Sequence, residues 1–105
     1  MSKKYIVGVT SCLIGIAHTY MAAEAMEKAL KKAGCDCKIE TQGATGSENE
    51  ITEEDIARAD AALIAADLKI KHMERFDPIP TLSCGTDEII KEGDDVVAEL
   101  LEAIA

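Results

Sequence analysis

The pattern of apolar and polar positions in this 105-residue chain changes period several times, and each change marks an element. Residues 5–10 (YIVGVT) are short, β-branched and almost wholly apolar, which reads as a strand buried on both faces. Residues 11–18 form a compact stretch with Gly15 at its middle. From about 18 to 33 the period becomes helical, with Met21, Ala22, Ala25, Met26, Ala29, Leu30 and Ala33 on one face. Glu24/Lys28 and Glu27/Lys31 are spaced as i,i+4 ion pairs on the other face, and Gly34 supplies a natural stop.

Beyond that helix the elements are shorter. Residues 37–41 (CKIET) alternate small or apolar with charged side chains, which predicts a strand with one wet face at a sheet edge. Residues 42–50 read as a glycine-containing loop. Thr52 followed by Asp55 has the spacing of an N-terminal cap and predicts a short helix to about Arg58. Residues 61–66 (AALIAA) read as a second buried strand. Pro80 makes residues 79–83 an edge strand, since proline cannot donate to a ladder. Two acidic helices, near 86–92 and 94–104, end the chain.

Strands alternating with helices predict a parallel sheet with right-handed crossovers. The expected fold is a single three-layer α/β domain over residues 1–105. Its four parallel strands run in the order 2-1-3-4, with Rossmann-like helices on both faces. That order puts the two buried strands at the centre and the two others at the edges. Ligands of such sheets sit in the crevice beyond the carboxyl ends of the central strands, where the winding reverses. The loop 11–18 falls in that crevice.

Composition narrows the partners. A net charge of −9, no Trp and three aromatics (Tyr5, Tyr20, Phe76) argue against nucleic acid, which needs cationic neutralisation and stacking platforms. The same charge argues against an anionic membrane surface, though not against docking on a membrane protein's basic loop. No apolar run approaches the length of a membrane span, and the start lacks a signal core, so no membrane insertion and a cytoplasmic location are expected. Four cysteines (Cys12, Cys35, Cys37, Cys84) in a chain with well-formed strands and helices fit a reducing compartment better than a disulfide framework.

Cys12 is the cysteine whose position carries chemistry. It lies where a buried strand turns into a helix, so its sulfur meets the partial positive charge and unpaired N–H groups of a helix N-terminus. Both favour the thiolate, the nucleophilic form, and the same N–H groups can cradle a phosphate dianion. Gly15 suits a loop that must approach a ligand closely. The spacing Cys12-x5-His18-Thr19 invites comparison with cysteine-dependent phosphatases, whose loops read C-x5-R-[S/T]. Position 18 is His and the loop holds no Arg, so a phosphoryl group there lacks the bidentate clamp used for hydrolysis. A carrier, a low-molecular-weight phosphatase-like hydrolase and a non-catalytic flavodoxin-like binding module are the three readings in play.

Residues 11–24 (SCLIGIAHTYMAAE) resemble the phosphorylation-site segment of fructose-type IIB components of the sugar phosphotransferase system, whose pattern is close to A-C-P-T-G-I-A-H-T-Y-M-A-A-E. Further matches follow in order: Glu40-Thr41-Gln42-Gly43, Gly46 with Glu48-Asn49-Glu50, Ile51-Thr52, Asp55-Ile56, Ala65-Ala66-Asp67 and Arg75-Phe76. The resemblance implies that Cys12 accepts a phosphoryl group from a phosphohistidine on a IIA component. It would then pass it to a sugar, fructose by family default, bound by the membrane IIC permease. Leu13, Ile14, Gly15, Ile16, Ala17 and His18 would supply the phosphate cradle, and no metal or organic cofactor is called for. Leu13-Ile14 departs from the family's Pro-Thr, which removes a hydroxyl and a rigid φ beside the sulfur.

Other residues have a functional and a plain reading. His18 either hydrogen-bonds the phosphoryl group and biases the sulfur, or is a first-turn residue bonded to backbone. Thr19, Gln42 and Asp67 are expected to support the loop, Asp67 by accepting from backbone N–H groups. Cys35-x-Cys37 is a weak metal half-site and more simply a turn residue plus an inward strand residue. His72 reads as a solvated surface residue, and the acidic stretch 87–102 as a solvated helical face.

Overall fold

The computed structural model describes residues 3–12, 16–43 and 46–104. The apolar run near the start becomes β1 (Tyr5–Ser11), buried at every position. Parallel neighbours flank it, β2 (Asp36–Gly43) on one side and β4 (Ala61–Ala66) on the other. β5 (Thr81–Cys84) pairs parallel with β4 at the far edge, starting immediately after Pro80. These four strands have the expected 2-1-3-4 order.

One strand was not expected. Residues Gly46–Glu48 form β3, which pairs antiparallel with the end of β2. The sheet is therefore mixed and five-stranded, in the order β3-β2-β1-β4-β5, rather than four-stranded and wholly parallel. Within the expected loop 42–50, residues 42–43 and 46–48 are strand, and β2 is covered rather than an edge at its carboxyl end. Gly-Ser-Glu shows no apolar alternation, so only its backbone pairing reveals it. Gly43 pairs with Gly46, whose φ of 121° favours a residue without Cβ.

α1 (Ile16–Lys32) ends as the sequence indicates. Gly34 takes φ 84°, and the Cys35 N–H reaches back to the Leu30 carbonyl at 3.0 Å, a Schellman closure. Its buried stripe is Thr19, Ala22, Met26, Ala29 and Leu30, whereas Met21 is 54% exposed and Ala33 also faces solvent, a correction to the predicted face. Both i,i+4 pairs form, Lys28–Glu24 at 3.3 Å and Lys31–Glu27 at 2.9 Å. α2 (Glu53–Arg58) carries the capping box of Thr52 and Asp55. The two expected acidic helices run on as α3 (Thr86–Ile104), broken by a kink at Glu92 (φ −129°, ψ 35°). Gly93 follows the kink, and a Cβ there would lie 3.4 Å from that of Ala29, so α1 and α3 approach closely at this point.

Alternation along the strands sorts two cores. Ile6, Ile39, Ala61, Leu63 and Ala65 pack with Met26, Leu30, Ile89, Val97 and Leu100 under α1 and α3. Tyr5, Val7, Val9, Ala62 and Ile64 pack with Ile51, Ile70 and Phe76 on the opposite face, beside α2 and a 3-10 turn at Met73–Phe76. The three-layer arrangement with helices on both faces is as expected.

Candidate active site

Strand register decides which side chains meet beyond the sheet. Ser11 of β1 pairs with Ala66 of β4, and Ala65 pairs with Cys84 of β5. β1 and β4 end level and β5 one position short of them, so continuing the register past the strand ends puts Cys12, Asp67 and Thr86 side by side. The Asp67 N–H donates to the Ser11 carbonyl at 3.1 Å, which holds the two exits together. His18 joins them from the first turn of α1.

Four side chains form one polar cluster. Cys12 Sγ lies 2.9 Å from His18 Nδ1 and donates to Asp67 Oδ2 at 3.1 Å. Thr86 Oγ1 donates to Asp67 Oδ2 at 2.6 Å and lies 3.8 Å from the sulfur, while its N–H donates to Asp67 Oδ1 at 3.1 Å. The Thr86 hydroxyl, then the Cys12 thiol, then the Thr86 N–H hold the Asp67 carboxyl below the usual carboxylate range. His18 Nε2 faces Asp87 Oδ1 at 3.2 Å. Thiol, imidazole and carboxylate stand in series, an arrangement chemically suited to activating a thiol. Cys12 and His18 are half-buried and Asp67 is exposed.

The expected site residues fall into three groups. Cys12, His18 and Asp67 come together, and Asp67 takes the backbone-anchoring role through Thr86. Among the described residues, the His18 ring meets the side chains of Cys12, Asp87 and Thr86. Thr19 and Gln42 sit one layer out: Thr10 Oγ1 donates to the Thr19 carbonyl at 3.1 Å, and Ser11 Oγ donates to the Gln42 carbonyl at 2.9 Å. Leu13, Ile14 and Gly15 lie outside the described residues, and Ile16 and Ala17 open α1. Among the described residues, His18, Asp67 and Thr86 offer side-chain contacts to the sulfur. Thr86 and Asp87 were missed from sequence. They follow the fourth strand, but only its register with β4 brings them to the sulfur.

The other thiols are set apart by burial. Burial, then Glu88 and Asp67, push Cys84 up to about 11, which leaves it a protonated neighbour rather than a second nucleophile. Burial likewise pushes Cys35 and Cys37 up, and both pack against the core, in keeping with the plain reading of that pair. His72 is exposed, at φ 58°.

Neither arginine of the chain serves the sulfur. Arg75 donates to Glu40 through two nitrogens, and Arg58 lies over the Tyr5 ring at 4.2 Å beside Asp36, at the amino end of the sheet. A guanidinium clamp of the phosphatase type is missing from the site, which disfavours hydrolysis. Exposed Tyr20, Met21 and Leu68 lie in sequence next to the cluster, and the Tyr20 hydroxyl bonds Glu48 of β3.

Comparison with known proteins agrees with this geometry. The family described as "PTS system, Lactose/Cellobiose specific IIB subunit" matches residues 7–99. The PTS system fructose-like EIIB component 2 of Escherichia coli (strain K12) is 43% identical over 95 residues, 90% of each chain. The 2-O-alpha-mannosyl-D-glycerate-specific EIIABC component of the same strain is 45% identical over 96 residues, 91% of this chain and 15% of that protein. Among solved structures, the Enzyme IIB subunit of the PTS system from Escherichia coli K12 superposes with a TM-score of 0.89 at 38% identity, covering 99% of this chain and 95% of that one. A domain of the fructose-specific IIABC component from Borrelia burgdorferi gives 0.90 at 36% identity, covering 96% of both. The chain belongs to the EIIB family of sugar phosphotransferase systems, whose components pass phosphate to sugar.

Proposed function

We propose that Cys12 is the phospho-acceptor of this EIIB component. The observation that carries the reading is the placement of its sulfur, 2.9 Å from His18 Nδ1 and 3.1 Å from Asp67 Oδ2, at the level ends of β1 and β4. An S–P bond forms as the P–N bond of a phosphohistidine on the IIA component breaks, in line. The thiol proton passes to His18, whose imidazolium faces Asp87, and ends on the departing imidazole. In the second transfer the sulfur leaves as a sugar hydroxyl, held by the IIC permease, attacks phosphorus. Leu13, Ile14, Gly15, Ile16, Ala17 and His18 supply the cradle.

The sugar we assign is fructose or a close relative, following the fructose-like relatives. Exposed Tyr20, Met21 and Leu68 suit a docking rim for IIA and IIC. The location we assign is cytoplasmic, in accord with a net charge of −9 and, among the described residues, no helix long and apolar enough to cross a membrane.

Incubation with a phosphorylated fructose-class IIA protein is expected to add about 80 Da, the mass of HPO3. The adduct should map to Cys12 and vanish in Cys12→Ala. An adduct that persists in Cys12→Ala, or none with several such donors, would remove the basis of the assignment. Slow loss of the adduct in water separates carrier from phosphatase.

A further inference from the structure

We propose that Cys12, His18 and Asp67 also form a binding site for a zinc ion. Their ligand atoms Sγ, Nδ1 and a carboxylate oxygen lie within 4.8 Å of one another, the one such three-residue group among the described residues. A thiolate, an imidazole and a carboxylate are the donor types Zn²⁺ takes, and three protein ligands leave the fourth tetrahedral position to water. With Zn–S about 2.3 Å and Zn–N about 2.0 Å, a tetrahedral centre separates sulfur from nitrogen by about 3.5 Å. The present separations of 2.9 Å to His18 and 3.1 Å to Asp67 need to open by about half an ångström. The ligands come from three separate strand ends or helix starts, and Asp67 is exposed, so that opening meets no packed core.

The second observation is the outer layer. Metal-bound histidines characteristically donate their other N–H to a carboxylate, and ligating carboxylates are themselves hydrogen-bonded. Both partners are in place. Asp87 Oδ1 stands 3.2 Å from His18 Nε2, which fixes the proton there and turns the Nδ1 lone pair toward the sulfur. Thr86 bonds both oxygens of Asp67, by N–H at 3.1 Å and by hydroxyl at 2.6 Å. Cys84, two residues before Thr86, is held protonated by burial and does not compete.

Binding exchanges the thiol proton for the ion: a Zn–S bond forms and the proton goes to solvent. The ion would occupy the sulfur that the phosphocarrier reading uses. The site itself does not depend on that reading, and its test needs no phosphoryl donor. The reduced protein is titrated with Zn²⁺ against a chromophoric chelator, and in parallel with Co²⁺, whose thiolate charge-transfer absorption reports sulfur ligation. One ion per chain, a cobalt–thiolate band, and protection of Cys12 from alkylation reversed by EDTA are expected. Cys12→Ser should abolish the band, and His18→Gln should weaken binding. Asp87→Asn, through the orientation of His18, should raise the dissociation constant about 10- to 100-fold while leaving the cobalt band in place at saturation. Stoichiometric binding that survives Cys12→Ser, or a Co²⁺ complex without the band, would overturn the site. So would failure of Zn²⁺ to protect the thiol.

Discussion

Arg75 grips Glu40 through both terminal nitrogens, at 2.8 and 2.7 Å, beneath the carboxyl end of β2. Glu40 is 1% exposed, and its remaining capacity is taken by Gln42 Nε2 at 2.7 Å and the Ile51 N–H at 2.8 Å. Burial pushes this carboxyl up, but the Arg75, Gln42 and Ile51 hydrogen bonds outweigh it and bring it below its ordinary value. Gln42 also clasps the chain at Lys71, by its Nε2 to the carbonyl at 3.2 Å and its Oε1 from the N–H at 2.8 Å. The same network therefore ties the end of β2, which receives the Ser11 hydroxyl, to the segment leading from Asp67 to the 3-10 turn.

Removing one partner of such a pair leaves a buried charge uncompensated, at a cost of about 3–5 kcal/mol. Arg75→Met is expected to destabilise the fold by roughly that amount in urea unfolding, because the desolvated Glu40 carboxylate loses its counter-charge. Glu40→Gln in the same background should restore part of the loss. A stability within 0.5 kcal/mol of the parent, about the effect of a neutral surface change, would show that the pair is not the strut described.

Acid should unfold the protein chiefly through Asp55 and Glu40, because Asp67, which is also lowered, is exposed. Burial raises Asp55, but hydrogen bonds from Lys38, from Thr52 and from the Tyr5 hydroxyl outweigh it and hold the group well below the usual range. Glu40 is lowered as described. A depressed folded pKa contributes stability that is fully present above the unfolded value, about 4, and is lost as pH falls through the folded one. Stability is expected to be flat from pH 7 to about 5 and to decline below about 4. Asp55→Asn should be less stable at pH 7 and lose less on acidification. Parallel acid profiles for parent and variant would contradict this account.

Gly8 sits at the centre of β1, where α1 comes closest to the sheet. A Cβ there would meet Met26 Sδ at 2.3 Å, Ile39 Cδ1 at 2.9 Å and the Leu63 carbonyl at 3.3 Å. Two of these are side-chain ends that can move, and the third is backbone, so relief is only partial. Gly8→Ala is expected to cost about 1–3 kcal/mol by overpacking. Gly93→Ala, at the wider contact of 3.4 Å with Ala29, should cost less. If Gly8→Ala proved neutral or stabilising, the close approach of α1 would have to be looser than drawn.

Much of this was legible in the chain because it rests on periodicity. β1, β4 and α1, with Gly34 and the Thr52–Asp55 box, announce themselves by apolar spacing or by cap chemistry. Sheet order followed from which strands were apolar throughout. β3 escaped because three polar residues can pair by backbone alone, and the 3-10 turn because Phe76 is its single buried side chain. The two acidic helices were legible as separate segments, and the kink at Glu92 divides α3 where they were expected to part, while Gly93 just beyond it serves the contact with α1. At the site, Cys12 and Asp67 were readable from strand ends. Thr86 and Asp87 were not, since their part depends on β5 lying in register with β4, which no local pattern encodes.

Asp67 gives the sharpest test of how the site handles its proposed cargo. Its carboxylate accepts from the Cys12 thiol at 3.1 Å, a contact that a phosphorylated sulfur cannot make, because the donor proton is gone. A phosphoryl dianion on that sulfur would stand about 5 Å from a second negative charge. At an effective dielectric of about 20 each unit charge repels by about 3 kcal/mol. Asp67 is exposed, so solvent and salt reduce this to about 1 kcal/mol, or about fivefold in the transfer equilibrium. Such repulsion would keep a phosphocysteine at this position poised for onward transfer. Asp67→Asn retains an oxygen for the Thr86 N–H, now at 3.1 Å, while removing the charge. At a fixed ratio of phosphorylated donor to carrier, this variant is expected to shift the transfer equilibrium constant about fivefold toward phosphocysteine and to release it to the next acceptor more slowly. Mass spectrometry of the intact chain reads the equilibrium directly, independent of any slower approach to it. An unchanged or smaller phosphorylated fraction would mean that the carboxylate turns away from the sulfur once phosphate arrives.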